Sequence, residues 1–308
     1  MSGALTLRFS TQAQLDIRRI TRELSDLQSQ VASGAKAKDL LGFGGASSRL
    51  LSAQSMRASA DARGSMLNQL TARFGVQAAA LGQVGESSGL LAQSIRDAIS
   101  SNDGRGIAIE LELSFSSIVS ALNETWNGQP MFAGERQDGR PVTITTLDQL
   151  QAAASTSDIF DEATRHQTID IGAGEPVSLS AKASELSTGL FDTLKSLANL
   201  IDSHGGTIGQ PISAADRTTL QNIADQLDQQ GSRFDTEQGR AGQLQNRFEQ
   251  ERVRLQERSN LLVKEIGEQA DADVAEISIQ LNSLLVQYEA AAKTFSELSN
   301  LSLLNYLR

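Results

Sequence analysis

The sequence predicts a mainly α protein: an elongated rod whose N- and C-terminal helices pair as a coiled coil, next to a helical bundle with a small β-rich insertion. Three observations lead to this fold class. All four prolines lie between positions 130 and 211, so residues 1–129 and 212–308 are free to form long helices. Both ends of the chain carry heptad-spaced apolar residues. Between residues 130 and 184 the apolar period changes from helical to two.

The two ends of the chain carry matching apolar stripes. Their residues recur at alternating spacings of three and four, which is the seam of a coiled coil. Antiparallel pairing of the two ends would cover both stripes at once. An ordinary helical bundle with neighbouring termini is the alternative that the periodicity leaves open. The stripes consist of Ile17, Ile20, Leu24, Leu27 and Val31 near the N-terminus, and of Val274, Ile277, Leu281, Leu284, Tyr288, Ala291, Phe295 and Leu298 near the C-terminus.

Further helical periods between the arms predict a bundle, and a period-two segment interrupts it. Trp126, just before this segment, is expected to anchor the helical arm against the insertion. The loop GAGE at 172–175 separates two alternating runs as in a hairpin. The alternating pairs are Val142 and Ile144, Ile169 and Ile171, and Val177 and Leu179. We therefore predict three domains: a terminal coiled-coil domain (1–43 and 270–308), a helical bundle (44–130 and 185–269) and a small β-rich insertion (131–184).

Composition excludes several classes of function. A net charge of -10 and a pI near 4.8 disfavour nucleic acid and anionic membranes, which attract clustered cations. The chain has no cysteine, so disulfides and thiolate chemistry are excluded. No apolar run reaches the roughly 18 residues of a membrane span, and the N-terminus lacks a signal-peptide pattern. We expect a cytosolic protein, or one that is exported without cleavage.

Two glycine-containing motifs could indicate catalysis or phosphate binding. GESSG at 85–89 matches the nucleophile-elbow pattern of serine hydrolases, but that elbow needs a preceding strand. Ser87 and Ser88 fall instead within a helical period. GFGGAS at 42–47 lacks the spacing of a dinucleotide or phosphate loop. We interpret it as a flexible joint between two helices.

Acidic residues and histidines give no stronger indication of a site. DAD at 271–273 could suggest a cation site, but Asp273 followed by Glu276 is the pattern of a helix N-cap. His166 and His204 lie in polar, loop-like surroundings and are expected to be solvated. We therefore predict no catalytic, cofactor-binding or metal site. The predicted function is association with other subunits rather than enzymatic activity.

Five segments resemble the bacterial flagellins and their hook-associated relatives. Residues 7–40 are similar to the N-terminal arm of that family. RAGQLQNRFE at 240–249 resembles its R-x-G-A-x-x-N-R-L-E signature, and DADVAEISIQL at 271–281 resembles its D-x-D-x-A-E motif. GQPMFAG at 128–134 and the ending LSLLNYL at 301–307 are similar to the junction-protein branch of the family. The family's acidic turn and its proline are missing at 40–48, which suggests a looser hinge than usual.

This resemblance implies a flagellin-like fold and a structural function. It implies a homo-oligomeric ring between hook-associated protein 1 and the first flagellin subunits, with a filament-forming flagellin as the alternative. It also implies a flagellar export chaperone in the cytoplasm, type III export without signal cleavage, and terminal helices that fold on assembly. Heptads alone would also fit a coiled-coil scaffold outside the flagellum.

The apolar C-terminus is expected to take part in assembly. Beyond Leu298 the apolar residues spread around most of the helix, so one partner helix is not enough to cover them. We expect neighbouring subunits to enclose this tail. It adds Leu301, Leu304 and Leu307 to the seam residues as the predicted assembly interface.

Overall fold

The computed structural model describes residues 2–171, 176–179 and 181–306, and at 2–10 and 298–306 it describes the helical backbone alone. The described chain is mainly α, as predicted. In order, the elements are α1 (Ser2–Ser33), a 3₁₀-helix (Leu40–Ala46), α2 (Ser47–Ser101), α3 (Ile107–Leu122), β1 (Thr125–Trp126), β2 (Gln129–Pro130), α4 (Leu147–Ala152), a second 3₁₀-helix (Thr156–Ile159), β3 (Thr168–Ile169), β4 (Val177–Ser178), α5 (Ala183–Ser203), α6 (Ala214–Ala270) and α7 (Val274–Tyr306).

The chain forms two compact units. The terminal unit consists of residues 1–61 and 256–308, and the central unit consists of residues 62–255. The boundary between them falls within α2 and within α6, each of which contributes residues to both units. The division into three domains that the sequence suggests stays a prediction.

The core of the central unit is built from α2, α3, α5 and α6. On α5, the predicted helical period is confirmed: Leu190, Leu194 and Leu197 are fully buried, and so is Phe191. The ring of Phe191 contacts Phe115 and Phe160 edge to face, with centroids 6.3 and 5.8 Å apart. These aromatic contacts join α3 and the segment after α4 to α5 in one apolar core.

Within this unit α2 and α6 run antiparallel. The Gln245 side-chain amide donates to the Thr71 carbonyl over 3.1 Å, and the rings of Phe74 and Phe248 meet with centroids 5.5 Å apart. A side chain at Gly82 would place its Cβ 2.6 Å from the Gln238 amide. Glycine on α2 therefore makes room for a long polar side chain of α6.

The motif GQPMFAG at 128–134 begins and ends on glycines that the backbone requires. Asn127 and Gly128 have φ of 51° and 79° and form the two-residue turn between β1 and β2, where positive φ at both positions is typical of a type I′ turn. The pairing is antiparallel, with Thr125 opposite Pro130. Gly134 has φ of 66°, and a Cβ there would clash with the carbonyl oxygen of Arg165.

The predicted insertion leans on the helices rather than forming its own core. Phe132, Val142 and Leu150 are buried in the same cluster as the helical residues. Trp126 is half-buried and packs against that cluster, which agrees with its predicted anchoring role. Val142 and Ile144 alternate with exposed threonines as predicted, but the ladder there is a single bridge from Val142 to Phe160. The insertion thus contains less sheet than its alternation indicates, because helices rather than strands cover its apolar face.

The hairpin that the sequence predicts around GAGE is confirmed in the residues described. β3 and β4 pair antiparallel, with Ile169 opposite Val177. The GAGE segment at 172–175 lies outside the described residues. Arg63 of α2 donates to the Ile171 carbonyl over 2.7 Å, and Arg73 of α2 donates to the Gln167 side chain over 2.7 Å. Two arginines of α2 thus hold the hairpin against the bundle.

The glycine-rich joint forms the 3₁₀-helix Leu40–Ala46. The Asp39 carboxylate accepts a hydrogen bond from the Gly42 amide over 3.0 Å and caps its start. Gly44 interrupts it with φ of 52°, a left-handed conformation that favours glycine. The joint therefore turns the chain from α1 into α2, as the GFGGAS motif predicts.

Candidate assembly interface

The two terminal helices of the terminal unit pack against each other. Ile20 and Leu24 of α1 and Ile277 of α7 are buried, and these are members of the two predicted stripes. Ile17, Leu27, Leu281, Leu284, Ala291 and Phe295 are half-buried, whereas Val31, Val274 and Tyr288 remain exposed. The structure therefore brings most of the predicted seam together, and the contact is deepest near Ile20, Leu24 and Ile277. The role of these residues in assembly stays a prediction.

A short backbone clasp (residues 34–36 and 270–272) fixes the antiparallel direction of the pair. The Ala272 amide donates to the Gly34 carbonyl over 2.9 Å, and the Lys36 amide donates to the Ala270 carbonyl over 2.8 Å. Ala35 and Asp271 form an antiparallel bridge between these two bonds. Gly34 has φ of 68°, which ends α1 in the usual way. The clasp sets the end of α1 beside the start of α7.

The start of α7 is capped as the sequence predicts. One carboxylate oxygen of Asp273 accepts hydrogen bonds from the amides of Ala275 and Glu276, over 3.0 and 3.1 Å. These amides have no partner inside the helix, so the cap stabilises the first turn. Asp273 is therefore engaged in capping rather than available as a cation ligand.

A second apolar stripe lies on the opposite side of α7, and the sequence analysis missed it. Ile279 is 71% exposed and Val286 is 68% exposed. They are seven residues apart and offset by two from the buried seam, so they point away from α1. We call these two residues the outer stripe. A search for a second heptad register beside the first would have found it.

Other apolar residues of the terminal pair are exposed as well. Leu285 on α7 and Leu15 on α1 are also exposed. The side chains of Leu298, Leu301 and Leu304 lie outside the described residues, and Leu307 lies outside them altogether. The arrangement can offer a neighbouring helix an apolar surface without unfolding the pair.

The motifs considered for chemistry are structural where the chain is described. Ser88 lies inside α2 and donates to the Val84 carbonyl over 2.8 Å, while Ser87 is 2.8 Å from the Ser117 hydroxyl. No strand or sharp turn surrounds them, so the nucleophile elbow is absent at this position. The described residues contain no group of three His, Cys, Asp or Glu side chains that could hold a metal. None of the described helices combines the length and apolar character that a membrane crossing needs.

Both histidines have acidic neighbours; His204 is exposed, as expected, whereas His166 is half-buried. His166 lies 3.3 Å from Glu185, and His204 lies 3.2 Å from Asp216. The pKa of His204 is raised, first by its hydrogen bond to the Leu200 carbonyl and then by Asp216. The first contact joins the segment before β3 to α5, and the second joins the end of α5 to the start of α6.

The last quarter of the sequence matches a known family. Residues 224–307 match the family model described as the bacterial flagellin C-terminal helical region. This range contains all of α7 and therefore both the buried seam of that helix and the outer stripe. No curated protein matches this sequence.

Solved structures of flagellar proteins share the fold. A structure from Vibrio parahaemolyticus, described as a flagellar hook-associated protein, matches with a TM-score of 0.54 and 16% sequence identity, over 72% of this chain and 98% of that chain. Bacillus cereus FlgL matches with a TM-score of 0.51 and 14% identity, over 65% of this chain and 98% of that chain. The chain therefore has the fold of flagellar hook-associated proteins, and its residues 224–307 match the C-terminal helical region of bacterial flagellin.

Proposed function

We propose that this chain is a structural subunit of the bacterial flagellum and forms the junction between the hook and the flagellin filament. The observation that carries the proposal is the outer stripe of α7, which stays uncovered in a helix that matches the flagellin C-terminal region. The similarity to hook-associated structures over almost their whole length supports the junction rather than the filament.

The outer stripe gives assembly a driving force. Ile279 and Val286 are largely exposed in the single chain, and burying such a side chain is worth about 1.5 to 3 kcal/mol. A neighbouring subunit that covers both gains this energy without opening the α1–α7 pair. Repeated around a ring, the contact would join identical subunits through surfaces that each subunit leaves open.

The proposal includes specific partners and a location. Copies of the chain form a homo-oligomeric ring, with hook-associated protein 1 on one side and flagellin on the other. An export chaperone holds the chain in the cytoplasm, and the flagellar type III route exports it without signal cleavage. The mature subunit lies outside the cell, needs no cofactor and acts as a mechanical adaptor rather than an enzyme.

Deletion of the gene tests the junction function. We expect electron micrographs to show intact hooks without filaments, and flagellin to be shed into the medium. Complementation with the wild-type gene should restore filaments. A normal filament on the deletion strain would contradict the proposal.

Variants of the outer stripe test the assembly surface. Ile279→Asp and Val286→Asp should leave the helix content of the purified chain unchanged, because both side chains are exposed. They should abolish filament growth in the complemented deletion strain, because an aspartate in a buried contact costs several kcal/mol. Gln287→Asp is the matched control, since it adds the same charge on another exposed face of α7. Filaments of normal number on both stripe variants would exclude this surface.

The alternative within the family is a filament-forming flagellin. The match to the flagellin C-terminal region would fit it. Purified chain added to filament seeds distinguishes the two: a junction subunit adds only a short cap, whereas a flagellin extends filaments over micrometres. Secretion that depends on the flagellum would distinguish both from a scaffold that stays in the cytoplasm.

A further inference from the structure

A groove opens between α3, α4 and α5 of the central unit. Its volume is about 470 Å³. The floor is apolar, with Leu111 and Phe115 from α3 and Ile201 from α5 among the lining residues. These three side chains are nearly fully buried and fix the shape of the floor. The groove is therefore preformed, because its floor is part of the main core of the unit.

Exposed apolar residues of α3 lie beside the face that lines the groove. Ile109 is 66% exposed and Leu113 is 61% exposed. Each follows a lining residue, Ala108 or Glu112, by one position. Because they are four residues apart, they lie on the same side of the helix. Large exposed apolar side chains beside a groove are typical of a surface that contacts another protein.

The rim of the groove is acidic. Glu112, Asp148 and Asp202 line it, and all three are exposed. No lysine, arginine or histidine is among its lining residues. His204, at the end of α5, is instead engaged with Leu200 and Asp216.

These carboxylates also have no ion-pair partner among the residues that the structure describes. They therefore give the groove a negative potential that nothing in its lining compensates. An occupant has to supply the positive charge.

We propose that this acidic-rimmed groove is a docking site for a basic amphipathic segment of a second protein. The apolar side chains of the segment would fill the groove and cover Ile109 and Leu113, while its lysines or arginines would face the three carboxylates. The exposed Ile109 and Leu113 supply most of the apolar area that binding buries, and the rim selects the charge and raises the association rate. The proposal is independent of the ring contact on α7, because it concerns the central unit alone.

Peptide binding to the full-length chain tests the site. The probe is a fluorescein-labelled helical peptide composed of leucine and lysine, and fluorescence anisotropy at physiological salt measures its Kd. The triple variant Glu112→Gln, Asp148→Asn and Asp202→Asn should raise the Kd about tenfold or more, because several ion pairs are lost together. A peptide in which serine replaces leucine should bind far more weakly to the wild type.

A second triple variant controls for net charge. Glu86, Glu124 and Glu135 are exposed and lie outside the lining of the groove. Changing all three to glutamine alters the charge of the chain by the same amount, and the Kd should stay within about twofold. If both triple variants weaken peptide binding equally, the binding follows net charge alone and the proposal is overturned. An absence of peptide binding to the wild type would also overturn it.

A third variant tests the shape of the groove without changing its charge. Ser116 is exposed and lines the groove, so Ser116→Trp should fill it and weaken peptide binding about tenfold. Thermal melts by circular dichroism check that each variant remains folded. Unchanged affinity in a folded Ser116→Trp protein would place the peptide elsewhere and contradict the proposal.

Discussion

The central unit and the α1–α7 pair of the terminal unit differ in how completely they bury their apolar residues. In the central unit, α5 buries Leu190, Leu194 and Leu197 completely, and aromatic rings fill the core around Phe191. In the α1–α7 pair, burial is concentrated in a few seam positions, and the outer stripe is left open.

This difference shows what each region needs to be stable. Four helices enclose an apolar face on all sides, whereas two helices cover only one side of each other. The central unit is therefore complete as a single chain. In the proposed assembly, neighbours that cover the outer stripe would add apolar contact and so stabilise the α1–α7 pair further.

The largest effect is expected from opening the core of the central unit. Phe191→Ala should lower the free energy of unfolding of the central unit by about 3 to 5 kcal/mol, because it leaves a cavity and removes two aromatic contacts. Urea unfolding followed by circular dichroism measures the change. Leu90→Ala, at an exposed position of α2, is the control and should change little. Similar losses in the two variants would show that the core is not closed as described.

A charge in the seam should separate the two regions. Leu24→Asp places a carboxylate at a buried position of α1, which costs about 3 to 5 kcal/mol. Hydrogen exchange should lose protection in α1 and α7, while α5 keeps its protection. Leu281→Asp should act in the same direction but more weakly, because Leu281 is half-buried.

The same seam variants should abolish assembly on hooks. Ser25→Asp is the matched control, because Ser25 is exposed next to Leu24. If α5 lost hydrogen-exchange protection in the Leu24→Asp variant, the stability of the central unit would depend on the terminal pair. Filaments on hooks that carry the variant would mean that the seam assignment is wrong.

Gly134 tests the turn that closes the GQPMFAG motif. Gly134→Ala should lower the free energy of unfolding of the central unit by about 1 to 3 kcal/mol. The reasons are its positive φ and the nearby Arg165 carbonyl. Gly89→Ala is the opposite case, because Gly89 lies inside α2 with open space around it. The Gly89→Ala variant should raise the free energy of unfolding by about 0.5 to 1 kcal/mol. Thermal melts compare the two variants.

The smallest expected effect is a pH dependence of the free energy of unfolding of the central unit. The pKa of His204 is raised by the Leu200 carbonyl and then by Asp216, so protonation favours the folded state. This contribution is present below the ordinary histidine pKa of about 6.5 and is lost as pH rises through the folded value. The free energy of unfolding should therefore fall slightly between about pH 6 and pH 8. His204→Gln should remove that slope, and an unchanged slope would assign it to another group.

Local features of the structure could be predicted from the sequence. The period of α5, the Asp273 cap and the apolar stripe on each terminal helix follow from residues within one or two helical turns of each other. The β1–β2 hairpin was also within reach, since Asn127 and Gly128 form the commonest two-residue turn signal. These features depend on backbone preferences and spacing, which a single segment contains.

Features that depend on distant segments could not be predicted in the same way. The outer stripe is recognised as exposed only after α1 has been placed on the other side of α7. The acidic-rimmed groove combines residues near 112, 148 and 202, which belong to three helices. The insertion shows the same limit, because Val142 and Ile144 alternate as in a strand but pack on helices.

The clasp between residues 34–36 and 270–272 has a consequence for the order of folding. It joins Ala35 to Asp271, so forming it from an open chain would close a loop of most of the sequence. The entropy cost of such a closure grows with the logarithm of loop length. Folding of residues 62–255 first brings the two ends of that segment together and shortens the loop that remains. We therefore expect the clasp to form after the central unit has folded.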